Sequence, residues 1–443
     1  MKKYMKLTAA ALAAAMTLSL TACGGGAGSS GSTATDSGSA ATSATGEEAA
    51  LGGEEVTIKF ANYALLESGY TEFWEGVKTG FEEKYPNITI EWVTAPYGEM
   101  VNQVINMAGG GDMVDVIFSE LIWIPTFVDA GLAAPAEEML DADFLADFYP
   151  NVLEAHQVDG QTYGVPLYAS SCILYYNKDI LEQAGVESVP TTYDELMAAC
   201  EKIDGMTTAD GNKIYPFGMP TASVAVVGSF LNSMVYNFGG SVLADDGTLA
   251  IDDGFTQAFQ TLKELDDKGY NPQNSKPKDL RNLFALGQLA MYYDQSWGFN
   301  GVSSINPDAA NFTASAMPLK GGDGDGAGTL QSHCFVMVDN GDAQAWAAKE
   351  FVQYVITPEV LTDYMNNITP AYPVKGDMED CMPAMLEASA VATTQAIPVP
   401  LIPALNDFNL ELCTLAQAVT LSDEDVDTAI AEFESSANAI LAG

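Results

Sequence analysis

The side chains best able to do chemistry in this chain are aromatic rings and carboxylates that follow stretches of strand-like alternation. Tyr63 comes after the first such stretch, Glu120 and Trp123 after the third, and Asp294 and Trp297 after a later one. Rings offer flat apolar faces, and carboxylates accept several hydrogens at once, so the set suits binding of a polar ligand. Other chemistries lack material. His156 and His333 are the only histidines among 443 residues, which argues against an imidazole-based zinc or manganese site and against a Ser-His-Asp triad. Both are expected to be surface or incidental residues. Arg281 is the sole arginine, so a grip on phosphate or carboxylate by paired guanidinium forks is not expected. Gly109-Gly110-Gly111 lacks the lysine and hydroxyl residue that complete a phosphate loop, and reads as a turn.

The elements that must position these residues follow from periodicity. Val56, Ile58 and Phe60 alternate as on a strand; Phe73, Trp74, Val77 and Phe81 recur at helical spacing; Ile88, Ile90 and Trp92 alternate again. A helical segment near Met100 to Met107 leads to a strand over Val114 to Phe118. Strand and helix taking turns predicts a largely parallel sheet covered on its faces, with ligands at the carboxyl ends of strands. Asn62-Tyr63 and Ser119-Glu120 stand at two such ends. A second α/β unit opens after Tyr163-Gly164-Val165-Pro166 with an apolar run from Ser170 to Tyr176, and a strand from Leu289 to Tyr293 delivers Trp297 just past its end. Tyr175-Tyr176 could suggest phenolate capture of iron, but the run they sit in favours core packing. Thr192 and Glu195 can form a capping box, and the tail is helical over Ala345 to Val355, Met382 into Ala392, Leu405 to Val419, and Val426 to Ile440 after a Ser422 cap.

Met1-Lys2-Lys3, an apolar stretch from Leu7 to Leu20, and Leu20-Thr21-Ala22-Cys23 resemble a bacterial lipoprotein signal ending in a lipobox. Residues 1–22 would be removed and Cys23 would carry the lipid, with palmitate among its acyl chains. Residues 23–54 are mostly Gly, Ser, Ala and Thr, a composition that forms no core and behaves as a flexible tether. The remainder, about 390 residues, is long enough for two domains. The chain carries 17 basic and 60 acidic residues, a formal charge of -43, which excludes nucleic acid as a partner and gives a strongly solvated surface. Besides Cys23 there are five cysteines with no CxxC spacing; Cys381 and Cys413 could pair, but an odd count leaves a free thiol.

Several stretches together resemble the signature of extracellular solute-binding proteins of carbohydrate ABC importers, the maltose-binding protein class. They are Tyr163-Gly164-Val165-Pro166, Leu174 to Leu181, Pro190 to Leu196, Phe284 to Met291 with Ser296-Trp297, Ala345 to Val352 with Thr357-Pro358-Glu359, and Pro370-Ala371-Tyr372-Pro373. The resemblance implies an α/β, two-lobed clamp of the periplasmic-binding-protein kind, its lobes discontinuous and a ligand cleft between them. One lobe would hold 55–164 plus 320–366, the other 165–319 plus 367–443, with crossings near Tyr163–Pro166, Pro318–Gly321 and Pro370–Pro373. It implies capture of a sugar or short oligosaccharide and delivery to permease subunits, without catalysis, cofactor or metal. The protein would be a monomer held by its lipid on the outer face of the cell membrane, or on the periplasmic side in a cell with two membranes. Trp297 stands at the position of a family stacking residue. Glu120 and Trp123 lie where the family often places an acid and a cleft aromatic, although Ser119 replaces an aromatic there. Tyr63, Tyr168, Asp294 and Tyr372 are further candidate contacts from strand ends or crossings. Two other readings compete: a binder of a polyamine or another non-sugar solute, and a surface glycoside hydrolase using Glu120 and Asp294 as acid and base.

Overall fold

The computed structural model describes residues 54–67, 69–244, 247–402 and 404–442. The signal-like segment, Cys23 and nearly all of the tether lie outside the described residues. The strands are β1 (Val56–Ala61), β2 (Ile88–Val93), β3 (Val116–Glu120), β4 (Gln157–Val158), β5 (Gln161–Thr162), β6 (Gly164–Asn177), β7 (Tyr215–Gly218), β8 (Leu289–Gln295), β9 (Thr313–Ala316), β10 (Thr329–Met337) and β11 (Ile397–Pro398). The main sheet runs β2-β1-β3-β10-β6-β8-β7, with β11 beside β10 and β9 beside β6.

The first lobe grows from the parallel β1, β2 and β3, as the alternation of strand and helix requires. Helix Thr71–Lys84 buries Phe73, Trp74, Val77 and Phe81 on one face. Burying such side chains contributes about 2 kcal/mol each, which is why the 3.6-residue spacing decides the fold locally. The third strand starts two residues later than its apolar run suggests. Asp115 stands just ahead of it, its buried carboxylate accepting the Lys59 N–H at 2.7 Å and the Asn340 amide at 2.7 Å. The strand also ends later, at Glu120, which pairs with His333 of β10.

β6 joins the lobes. Its first half pairs antiparallel with β10, through Ser171 opposite Leu330; from Cys172 onward it pairs with β8, and from Leu174 with β9. The chain therefore changes sheet in the middle of a strand, later than the Pro and Gly of Tyr163–Pro166 suggest. Pro318–Gly321 packs within the second lobe, where Lys320 donates to Thr191 and Gly321 to Asn237, and the return path is β10 itself. Tyr372 exchanges two backbone bonds with Ala169, in the half of β6 that pairs with β10.

Two apolar clusters fill the molecule. One holds the first lobe, Ala371 to Val399, and one face of the second lobe's strands; the other holds the opposite face of those strands with helices Tyr193–Ile203, Ala225–Asn237, Asp253–Asp267, Leu405–Leu421 and Val426–Leu441. Only the part of the tail beyond Leu405 thus belongs to the second cluster. The stretch expected as a helix from Met382 to Ala392 is instead a run of short turns, with Pro383 between Gly376–Cys381 and Ala384–Ser389. The last helix is capped by Asp425, whose carboxylate accepts from Thr428 N–H; Ser422 closes the preceding helix. Thr192 caps as expected, accepting from Glu195 N–H at 3.2 Å, but the Glu195 carboxylate reaches Thr191 instead. Cys172, Cys200, Cys334, Cys381 and Cys413 are all buried free thiols, so Cys381 and Cys413 do not pair. His156 is no surface residue. It is fully buried, its ring bonded to the Val152 carbonyl at 2.7 Å and Ser332 Oγ at 3.0 Å, and burial pulls its pKa down to about 4. Among the described residues no helix is long and apolar enough to cross a membrane.

Candidate functional site

A cleft of about 620 Å³ opens between the lobes. Its first-lobe wall begins where β1 ends. Asn62 Oδ1 accepts the Ala64 N–H at 2.9 Å, and the resulting turn Tyr63–Leu66 swings Tyr63 into the cleft. Tyr97, just past β2, lies edge-on to Tyr63 with ring centroids 5.1 Å apart and donates to Glu120 Oε2 at 2.9 Å. Register then adds a residue from far along the chain: His333 on β10 pairs with both Glu120 on β3 and Tyr168 on β6, beside a bulge at His333/Cys334.

These five side chains form one network. His333 Nε2 lies 3.0 Å from Tyr63 Oη and 3.3 Å from Glu120 Oε1, while Nδ1 lies 2.8 Å from Tyr168 Oη. A carboxylate only accepts, so the arrangement calls for a proton on Nε2 facing Glu120, while the Tyr168 hydroxyl can either donate to Nδ1 or accept from it. Burial drives the phenol pKa values of Tyr63 and Tyr168 well above their ordinary value, and burial with the Glu120 charge does the same for Tyr97. All three phenols keep their protons at physiological pH. Glu67 and Tyr70 complete this wall, Tyr70 bonding Thr369 Oγ1 at 2.8 Å.

The second-lobe wall has a different make-up. Trp297 sits in the turn Ser296–Gly298, directly after β8, and that turn is tied to the crossing strand: Ser296 Oγ donates to Ser170 at 2.9 Å, and Tyr175 donates to the Ser296 carbonyl at 2.6 Å. Arg281, Asn300 and Gly301 line this wall with the indole, and the N-terminal halves of helices Ala225–Asn237 and Leu405–Leu421 bring Ser229, Asn406 and Asn409.

Of the residues singled out in the sequence, Trp297, Glu120, Tyr63 and Tyr168 line the cleft. Trp123 stands one layer back, half-buried, with Tyr63 and Tyr97 at 5.5 and 5.1 Å. Asp294 does not reach the wall. β8 runs two residues further than expected, so Asp294 is inside the strand with no exposed surface, and both its oxygens are held by Arg281 at 2.6 and 2.8 Å. A buried carboxylate needs such a partner. Tyr372 is likewise behind the cleft, its hydroxyl 2.6 Å from Ser389 Oγ. The acid and base pairing of Glu120 with Asp294 loses its second member, because Asp294 is buried and occupied. Tyr175 and Tyr176 fall in β6, Tyr175 fully buried as its run suggests.

Sequence reasoning missed His333, Arg281, Tyr97 and Asn409. Tyr97 was within reach, since it follows the end of β2 as Tyr63 follows β1. His333 lies in mid-β10, after Gln331-Ser332 and before the apolar Cys334–Met337, and nothing local says that it meets Glu120.

Comparison with known proteins agrees with this architecture. A family model described as bacterial extracellular solute-binding protein matches residues 77–393. A binding protein of Brucella abortus is 27% identical over 67% of this chain and 72% of its own length. The maltodextrin-binding protein of Bacillus subtilis is 26% identical over 57% of this chain and 58% of its own. The crystal structure of the cyclic alpha-maltosyl-1,6-maltose binding protein from Arthrobacter globiformis superposes with a TM-score of 0.76 at 21% identity, covering 87% of this chain and 99% of that one. A two-lobed clamp with discontinuous lobes and a match across most of the described chain lead to one assignment: the protein belongs to the bacterial extracellular solute-binding protein family.

Proposed function

We propose that the protein captures a sugar or short oligosaccharide outside the cell membrane and delivers it to the permease of an ABC importer. The observation that carries this reading is the composition of the cleft: an indole on one wall faces a wall of tyrosines, Glu120 and His333. Trp297 would stack on the C–H face of a pyranose, while Glu120, the phenols and the asparagines would exchange hydrogen bonds with its hydroxyls. The relatives named for maltodextrin and for cyclic alpha-maltosyl-1,6-maltose support a sugar, and no bond-breaking step is assigned. Tyr63 and Tyr168 would contact the ligand beside Glu120, and Trp123 would brace them.

Residues 1–22 would be the signal peptide and Cys23 the acylated anchor, with 23–54 spacing the body from the membrane. The two lobes would divide within β6 near Ser171 and along β10, where the chain passes between sheets, with bending at those strands in place of the 164/165 and 319/320 bounds expected from the sequence. The folded body would act as a monomer. Cys23→Ala should release the protein from the membrane fraction; retention there would overturn the anchor.

The test of cargo is a thermal-shift screen of residues 55–443 against mono- and oligosaccharides, with polyamines included. A saturable rise in Tm with one sugar class supports the reading, since a ligand bound only by the folded state stabilises it. A rise with polyamines alone would overturn it in favour of a cationic cargo held by Glu67 and Glu120.

A further inference from the structure

We infer that Arg281 and Asp294 form a positioning bracket for Trp297, fixing the plane of the indole before any ligand arrives. The inference deepens the proposed function and rests on its reading of Trp297 as the stacking ring.

The chain contains a single arginine, and it stands behind the one cleft-lining tryptophan. Its Cζ lies over the indole, 5.2 Å from the ring centroid. The guanidinium cannot turn away: Nε and Nη2 bond the two oxygens of Asp294, whose carboxylate has no exposed surface and also accepts the Gln295 N–H at 2.9 Å. Two parallel bonds fix a plane, which a lysine ammonium cannot do. A ring packed on that plane acquires its orientation from it.

The backbone is built to allow this contact. A Cβ at Gly298 would fall 2.2 Å from Asp294 Oδ2, and one at Gly301 would fall 2.7 Å from Arg281 Cδ. The residue after Trp297 and the residue four after it must both be glycine for the ion pair to fit beneath the turn. Without the bracket, Trp297 would hang from a three-residue turn whose ties to Ser170 and Tyr175 run through Ser296 and not through the ring. The bracket is also electrically closed. The buried carboxylate cancels the guanidinium charge, so the wall gains rigidity without becoming a site for anions.

The consequence concerns affinity. A ring already held in place loses little freedom when a sugar stacks on it, whereas a swinging ring must be ordered at the ligand's expense. Arg281 also touches the cleft, so a direct bond to the sugar is the rival explanation, and the experiment must separate the two.

Acrylamide quenching of Trp297 in ligand-free protein, taken as the difference from a Trp297→Phe variant, gives a readout that needs no sugar. Two variants are compared: Arg281→Lys, which keeps the charge, and the double variant Arg281→Met with Asp294→Asn, which removes both charges so that no buried carboxylate is stranded. Thermal melting identifies which of them fold. The expected result is an increase of about twofold or more in Trp297 quenching in each folded variant; unchanged quenching would overturn the bracket. A second arm uses maltotriose as probe. Arg281→Lys should weaken its binding about tenfold in the parent protein and leave it unchanged in a Trp297→Ala background. Equal losses in both backgrounds would overturn the inference, showing that Arg281 contacts the sugar itself. If maltotriose does not bind the parent, the sugar reading is what fails, and the quenching arm alone decides the bracket.

Discussion

The two walls of the cleft solve the same task by opposite means. On the first-lobe wall the polar groups are bonded to one another: Tyr63, Tyr97, Tyr168, Glu120 and His333 form a branched circuit centred on His333. On the second-lobe wall the ring is held by an ion pair beneath it, and the neighbouring Asn300 spends its amide on the Ile368 carbonyl. A ligand docking on the first wall must replace bonds that already exist, so that wall contributes discrimination more than net energy. The second wall offers apolar area already in place, and most of the binding energy should come from there.

Acid should break this comparison most strongly, because the floor below the first wall is titratable. His156 is held neutral with a pKa of about 4 by burial, against about 6.5 in the unfolded chain, and it bonds Ser332 on the cleft floor. Between those two values the unfolded state binds the proton and the folded state does not. Stability present above pH 6.5 is therefore lost as pH falls toward 4, by about 3 kcal/mol in all. Urea unfolding at a series of pH values checks this, and His156→Gln should flatten the slope in that window. An equal slope in the variant would place the titration elsewhere.

Trp297→Ala should reduce sugar affinity about 100-fold by removing the stacking face, with Tm nearly unchanged because the ring is only partly buried. Calorimetric titration measures it. A loss smaller than that of any first-wall variant would reverse the assignment of energy to walls. His333→Ala opens the circuit at its centre and should cost about tenfold in affinity, together with a loss of preference among sugar stereoisomers. A uniform loss across isomers would mean that the circuit does not discriminate. Tyr97→Phe deletes only the bond to Glu120 and should change affinity by about threefold, in either direction, since it also frees the carboxylate for the ligand.

The order of strands and helices was legible because each lobe repeats apolar spacing over short distances, as in Phe73, Trp74, Val77 and Phe81. The strand-end rule also located Tyr63, Glu120 and Trp297. It failed at Asp294, where the strand outlasts its apolar residues because Arg281 neutralises the acid inside it; a pair thirteen residues apart leaves no periodic trace. It failed at His333 for a different reason. That residue earns its place through cross-strand register with partners more than 160 positions away, which no local pattern encodes. His156 looked incidental because a lone histidine carries no signature of burial.

β6 belongs to two sheets at once, and this bears on how the molecule can be taken apart. Neither half can close its own ladder without borrowing that strand, so the halves are not separable parts in the way of beads on a string. A gene cut to express one lobe would yield a piece with an unpaired edge, prone to associate with its own copies. Fusion partners or reporter domains are better inserted at the exposed turns near Gly211 or Gly111, where no ladder is interrupted and the strand keeps both of its allegiances.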